Sequence, residues 1–240
     1  MAATTQSLRE QVAWACRILA LEGYADLTLG HVSARPAGDD IVQIKRKGVA
    51  LDEVDPEDVI ELDLRSDDVG SSPGMHLEAV LHTEVYKLRP DVGAVVHGHP
   101  PFATAFAATG ATLELLTHDA VLFADGVPVF EETPDMITEA AMGKAVAETL
   151  GSHRAIVLRN HGVLVVGKSV RWAVLTALTL ERAVRLQSIA RTLGTLRPIA
   201  PDRAREMVAD KYQDRFVDEY WDAWNRRLER LGAAPAGDGA

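Results

Sequence analysis

Cysteine is almost missing from this chain: Cys16 is the only one in 240 residues. A single thiol excludes an intrachain disulfide, and its place in an apolar helical pattern reads as a small buried hydrophobe. Basic residues are in deficit, with 25 Lys and Arg against 35 Asp and Glu and a net charge of -10. That balance argues against a nucleic-acid partner, which requires a basic patch. No apolar run reaches the roughly 18 residues of a membrane span. Residues Met1 to Gln11 lack a basic segment followed by an apolar one, so no signal peptide is expected. Repeats and low-complexity blocks are also missing. These absences point to a soluble cytoplasmic protein.

Hydrophobic residues make up 47% of the chain, enough for one sizeable core. Leu8, Val12, Ala15, Cys16 and Leu19 recur at helical spacing, predicting a helix over 6–22 that Gly23 stops. Residues 27–34 lead into a turn at 36–40 and a strand at 41–45. An edge strand is expected at 59–64 and a loop at 65–74. Helices are expected at 76–88, 100–108, 134–150, 169–193 and 203–231. Strands are expected at 92–97, 155–158 and 163–166, and a short strand with a loop at 119–130. The mixture has no strict βαβ rhythm. It predicts an α/β fold, a single three-layer domain over 1–231 with a central, mostly antiparallel sheet flanked by helices. The Ala/Pro/Gly-rich segment 232–240 reads as a disordered tail.

The most informative stretch is Val95-Val96-His97-Gly98-His99. Residues two apart on a strand share a face, so two imidazoles at a strand end can clamp one cation. Gly98 between them leaves room for close approach. His161 lies in an Asn-His-Gly turn between two strands; pairing of those strands with 92–97 brings it to the same place. Three histidines with an open position form the catalytic zinc pattern, and other first-row ions suit the same donors. On spacing alone, ordinary polar residues at strand ends are the stronger reading. Glu78 and His82, four apart on a helix, add a carboxylate that is either a ligand and acid/base group or a solvent-facing glutamate.

At these residues the chain resembles the class II aldolase/adducin family, over about residues 8–195. Four stretches carry the resemblance: Gly30-His31-Val-Ser33-Ala-Arg35; Lys47-Gly48 with Pro56-Glu-Asp; Glu78-x3-His82-x3-Tyr86 through Arg89-Pro90-Asp91-Val92 to His97-x-His99-Pro100; and Leu158-Arg-Asn160-His161-Gly162 with Gly167 and Glu181. The resemblance implies one divalent ion per subunit, zinc foremost with manganese or cobalt as alternatives, held by His97, His99, His161 and Glu78. It makes Glu78 the acid/base group. It gives His82, Asn160 and Gly162 supporting roles, and implies a homotetramer with sites at subunit boundaries.

Sugar-phosphate members of that family grip the phosphate with an asparagine, a Thr/Ser-Gly turn and a Ser-Ser pair. Here those places hold His31, the turn Lys45-Arg46-Lys47-Gly48, and His76-Leu77. Small hydroxyls have been replaced by cations and imidazoles, which suit a planar carboxylate. The turn reads equally well as a solvated basic loop. The resemblance therefore implies a metal-dependent lyase in which the cation stabilises a carbanion or enolate. The expected reaction is decarboxylation of a dihydroxylated aromatic acid such as 3,4-dihydroxyphthalate, a small carboxylic acid substrate. His31 and His76 join Glu78 as catalytic residues, and Arg46, Lys47, Gly48, Ser33 and Tyr220 bind substrate. An aldolase or epimerase acting on a sugar phosphate or sugar acid is the alternative. A non-catalytic adducin-like interaction module is the alternative from another class.

Overall fold

Alternation along the central strands decides how the chain layers. A computed structural model describes residues 6–24, 26–36, 38–66, 69 and 72–237. In β4 (Ala94–Gly98), Ala94 and Val96 enter one apolar cluster and Val95 enters another. In β7 (Gly162–Gly167), Val163 and Val165 join the first while Leu164 and Val166 join the second. A strand buried on both faces must sit inside a sheet covered by helices on each side.

The other strands are β1 (His31–Ala34), β2 (Ile41–Lys45), β3 (Val59–Asp63), β5 (Val129–Phe130) and β6 (Ala155–Leu158). They make one seven-stranded sheet ordered β3-β2-β1-β4-β7-β6-β5. Every pairing is antiparallel except β5 with β6. On one face lie α1 (Leu8–Leu19), α3 (Pro101–Ala107), α5 (Val170–Leu193) and the C-terminal helices α6 (Pro201–Lys211) and α7 (Asp214–Leu231). The other face carries α2 (Val80–Leu88) and α4 (Ala140–Leu150). The three-layer, mostly antiparallel α/β architecture expected from the sequence is the one observed. No helix among the described residues is long and apolar enough to cross a membrane.

Local rules set the ends. Ser7 and Glu10 form a reciprocal cap at the start of α1. Gly167 lets α5 begin directly against β7, because a Cβ there would meet Ala173 N at 2.4 Å.

Several boundaries differ from expectation, each for a physical reason. His31–Ala34 is a strand, not a lead-in to a turn: its alternating polar and apolar residues are all buried because both faces are covered. The helix expected from residue 76 starts at Val80, since His76 and Glu78 are held in the preceding turn. The helix expected from Pro134 starts at Ala140, which leaves Ile137 outside the helix and buried. The long C-terminal helix breaks at Tyr212 and Gln213, where Tyr212 turns inward and its hydroxyl donates to the His118 carbonyl at 3.0 Å. The segment expected as a short strand and loop holds a 3-10 turn, Ala120–Phe123, ahead of β5.

Part of the loop at 65–74, the turn residue Ala37 and the end of the tail lie outside the described residues. Within the tail, Pro235 is buried and the Ala236 N–H donates to Asp55 at 2.8 Å.

Candidate metal centre

Strand register brings the distant histidines together. β4 pairs with β7 so that His97 faces Leu164 and Gly98 faces Val163. That pairing sets the β6–β7 turn, with His161, against the end of β4. The turn needs two unusual residues. Asn160 adopts φ 56°, a left-handed value that asparagine tolerates. At Gly162 a Cβ would meet the Gly98 carbonyl at 2.6 Å and His99 Cδ2 at 2.7 Å, so only glycine permits the approach.

The three rings form a tight group. Centroids lie 5.0 Å apart for His97 and His99, 5.1 Å for His97 and His161, and 5.3 Å for His99 and His161. One ring nitrogen from each lies within 4.8 Å of the others. Glu78 closes the group: Oε2 is 3.7 Å from His97 Nε2 and Oε1 is 3.6 Å from His161 Nε2.

The frame orients these donors. His97 Nδ1 lies 3.1 Å from the Val163 carbonyl, which turns Nε2 inward. His99 Nδ1 lies 3.0 Å from Asp26 Oδ2. The Ile137 N–H donates to Glu78 Oε1 at 2.8 Å. Partners of this kind fix tautomer and direction in metal sites. Asp26 and the Ile137 backbone were not legible in the sequence; neither carries a spacing signal.

Among the described residues, two enclosed nitrogens, His97 Nε2 and His161 Nδ1, have no hydrogen-bond partner. A buried polar atom without a partner is costly. Burial, with His99 and His161 nearby, holds His97 well below its ordinary range despite the Glu78 charge, so it is a neutral donor. Burial would raise the Glu78 carboxyl, but His161, His97 and the Ile137 N–H together hold it at about 2. Three clustered imidazoles, with His97 held neutral and its Nε2 turned inward, and one fixed carboxylate are the donor set that a first-row divalent cation takes. His97, His99, His161 and Glu78 therefore fit the metal implied by the sequence.

A second imidazole group adjoins the first. His31 pairs with His97 across β1 and β4, with ring centroids 4.9 Å apart. His76 packs 4.3 Å from His31, and its Nε2 is also enclosed without a partner. His82 lies on the far side of His31, 4.8 Å between centroids. Burial is the main cause that pushes His31 well below its ordinary range, His76 to about 4 and His82 to about 3.

The remaining residues expected at the site are placed as follows. Ser33 is fully enclosed, its hydroxyl between His82 and Tyr86, so it reaches the site through His82. Arg46 is half exposed and pairs with Asp58 at 2.7 Å. Lys47 is exposed and its N–H donates to the Gly74 carbonyl, which ties the basic turn to the loop carrying His76. Gly48 has φ 87° in the same turn. Lys45, by contrast, is wholly buried and donates to the Thr28 carbonyl at 3.3 Å. Tyr220 packs near Trp224 and lines a groove that includes none of the clustered histidines.

Comparison with known proteins gives a consistent result. The family description "Class II Aldolase and Adducin N-terminal domain" matches residues 10–188. A 3,4-dihydroxyphthalate decarboxylase from Arthrobacter keyseri is 29% identical over 244 aligned residues, covering 96% of each chain. Among solved structures, an aldolase II superfamily protein from Pseudomonas syringae superposes with a TM-score of 0.82 at 26% identity, over 95% of this chain and 94% of that one. The L-fuculose-1-phosphate aldolase from Thermus thermophilus is 30% identical with a TM-score of 0.68, over 80% of this chain and 98% of that one.

Proposed function

Because this chain belongs to the class II aldolase and adducin family, we propose that it is a divalent-metal-dependent lyase. Its proposed reaction is the decarboxylation of a dihydroxylated aromatic acid of the 3,4-dihydroxyphthalate type. The observation that carries this reading is the buried imidazole wall, His31 and His76, packed directly against His97. Those residues stand where sugar-phosphate members of the family place small polar groups. Neutral rings offer flat faces and N–H donors, which suit an aromatic carboxylate better than a tetrahedral phosphate. The likeness to the Arthrobacter decarboxylase along the whole chain supports the same choice.

His97, His99, His161 and Glu78 would hold the cation, with zinc first and manganese or cobalt as alternatives. When bound, the cation supplies Lewis-acid stabilisation of the negative charge that develops on the substrate oxygens. In the overall change, the bond between ring carbon and carboxyl carbon breaks, carbon dioxide leaves, and a proton takes its place on the ring.

Glu78 is held ionised, so it takes a proton from a substrate hydroxyl more readily than it gives one. His31 and His76 stand beside it as neutral N–H hydrogen-bond donors to the carboxylate that leaves, and the proton that Glu78 takes from the hydroxyl is the one it returns to the ring carbon. Arg46, Lys47 and the Gly48 turn hold a second carboxylate. Ser33 serves by orienting His82. In a homotetramer with sites at subunit boundaries, Tyr220 would reach a neighbour's substrate.

The test is carbon dioxide release from 3,4-dihydroxyphthalate and dihydroxybenzoates, with zinc, manganese or cobalt added in turn. Release that requires one of these ions is expected. The similarity to a fuculose-phosphate aldolase motivates the second reading. Cleavage of a sugar phosphate without any carbon dioxide release would replace decarboxylation by aldol cleavage. A purified protein without bound divalent ion, inactive on both substrate sets, would favour a non-catalytic interaction module.

A further inference from the structure

The buried imidazole group is tied to two hydroxyls in a single file. His31 Nδ1 lies 2.6 Å from His82 Nε2, and His82 Nδ1 lies 2.6 Å from Ser33 Oγ. Ser33 Oγ in turn lies 2.9 Å from the Tyr86 hydroxyl. Each contact holds one hydrogen, so the file has two directions. In the first, Tyr86 donates to Ser33, Ser33 to His82 and His82 to His31, and every hydrogen is used. In the second, His31 donates to His82 and His82 to Ser33, and one hydroxyl hydrogen is left over: that of Tyr86 where Ser33 donates to it, or that of Ser33 where Tyr86 donates instead.

Among the described residues, Ser33 Oγ is the only acceptor that the Tyr86 hydroxyl meets. Tyr86 is 1% exposed and Ser33 0%, so bulk water does not relieve the surplus donor. An enclosed donor without an acceptor bears its full desolvation cost. The first direction therefore prevails.

We infer that Ser33, anchored by Tyr86, fixes the tautomer of His31 through His82, so that His31 carries its hydrogen on Nε2. Ser33 is a positioning residue, and His31 presents a donor to the site. The geometry gives this a consequence for the metal. His31, Glu78 and His97 also form a group whose ligand atoms lie within 4.8 Å of one another. A ring nitrogen that bears a hydrogen has no lone pair for a cation. The hydroxyl file thus keeps His31 out of the ligand set and reserves it for an anionic substrate oxygen. The identity of that oxygen rests on the proposed function; the tautomer does not.

The test uses the metal-free full chain labelled with 15N-histidine. Long-range 1H–15N spectra distinguish the two neutral tautomers, and a His31→Gln variant assigns the ring. We expect hydrogen on Nε2 in the wild type and in Tyr86→Phe, where Ser33 still donates to His82. In Ser33→Ala the second tautomer appears. Turnover of the metal-loaded variant then falls roughly ten-fold or more, with KM changed less than kcat.

Hydrogen on Nδ1 of wild-type His31 overturns the inference, and so does a Ser33→Ala ring pattern identical to wild type. Should Ser33→Ala fail to fold, the wild-type and Tyr86→Phe spectra decide alone. The expected tautomer together with no carbon dioxide release from any aromatic acid would overturn the proposed reaction and leave this inference standing.

Discussion

Two groups of three histidines meet at one end of the same sheet, and their partners differ in kind. His97 and His99 are each turned by a fixed oxygen of the frame, the Val163 carbonyl and the Asp26 carboxylate. Among the described residues, His97 Nε2 and His161 Nδ1 are left enclosed without a hydrogen-bond partner. His31 and His82 instead face each other and then a file of hydroxyls. One group keeps lone pairs free for a cation, while in the other His82 spends both ring nitrogens on neighbours and His31 spends one. The same side chain becomes ligand or donor according to what holds its second nitrogen.

The comparison breaks most easily at His97. His97→Ala should reduce bound divalent ion from about one equivalent to almost none by elemental analysis. Turnover should fall by roughly 10³-fold or more. His82→Gln should keep its metal. A His97→Ala protein that retains the ion would dissolve the distinction between the groups. Next in size is the stability the ion adds. Free zinc at about 1,000 times its Kd should stabilise the fold by about 4 kcal/mol. For a chain of this length that is a Tm increase of about 10 °C, absent from His97→Ala. A smaller effect belongs to Asp26, whose side chain is partly exposed and touches the site only through His99. Asp26→Ala should weaken metal affinity about 10- to 100-fold by competition titration and leave the Tm of the metal-free protein nearly unchanged. An unchanged affinity would mean that His99 needs no orienting partner.

How much of this is legible in the sequence depends on the range of each signal. His97-x-His99 is a local pattern, because strand alternation alone puts both rings on one side. His161 could be placed only by assuming that β6 and β7 pair with β4, and the observed register bears that out for β7, with β6 paired to β7 in turn. The β1 strand is not legible in the sequence because His31 and Ser33 look like solvent-facing residues. They are buried, and their polarity is satisfied by His82 and Tyr86 from α2. Asp26 and Ile137 act from loops, at positions no periodicity marks. The break at Tyr212 and Gln213 has no proline or glycine to announce it, and tertiary packing of Tyr212 overrides helical propensity there. Long apolar periodicity and short metal spacing thus survive in the sequence, while orienting contacts between remote loops do not.

The finest difference between the groups is read by acid. His82 is wholly enclosed, and burial, reinforced by His76, lowers it to about 3, against an ordinary value of about 6.5. The folded protein therefore keeps this ring neutral where the unfolded chain would protonate it. Stability from His82 is present in full above about pH 6.5 and is lost progressively as pH falls toward about 3. The slope for one proton is about 1.4 kcal/mol per pH unit. Denaturant unfolding of the metal-free protein between about pH 6 and pH 4 should show a slope steeper than that, because His31, His76, His97 and His99 are also held below their ordinary range, and His82→Gln should lack about one proton's share of it. An identical slope in the variant would mean that His82 already takes up its proton in the folded state. The hydroxyl file would then have to accommodate a charged ring, and the contrast between a neutral relay group and a cation-binding group would fail at the residue that joins them.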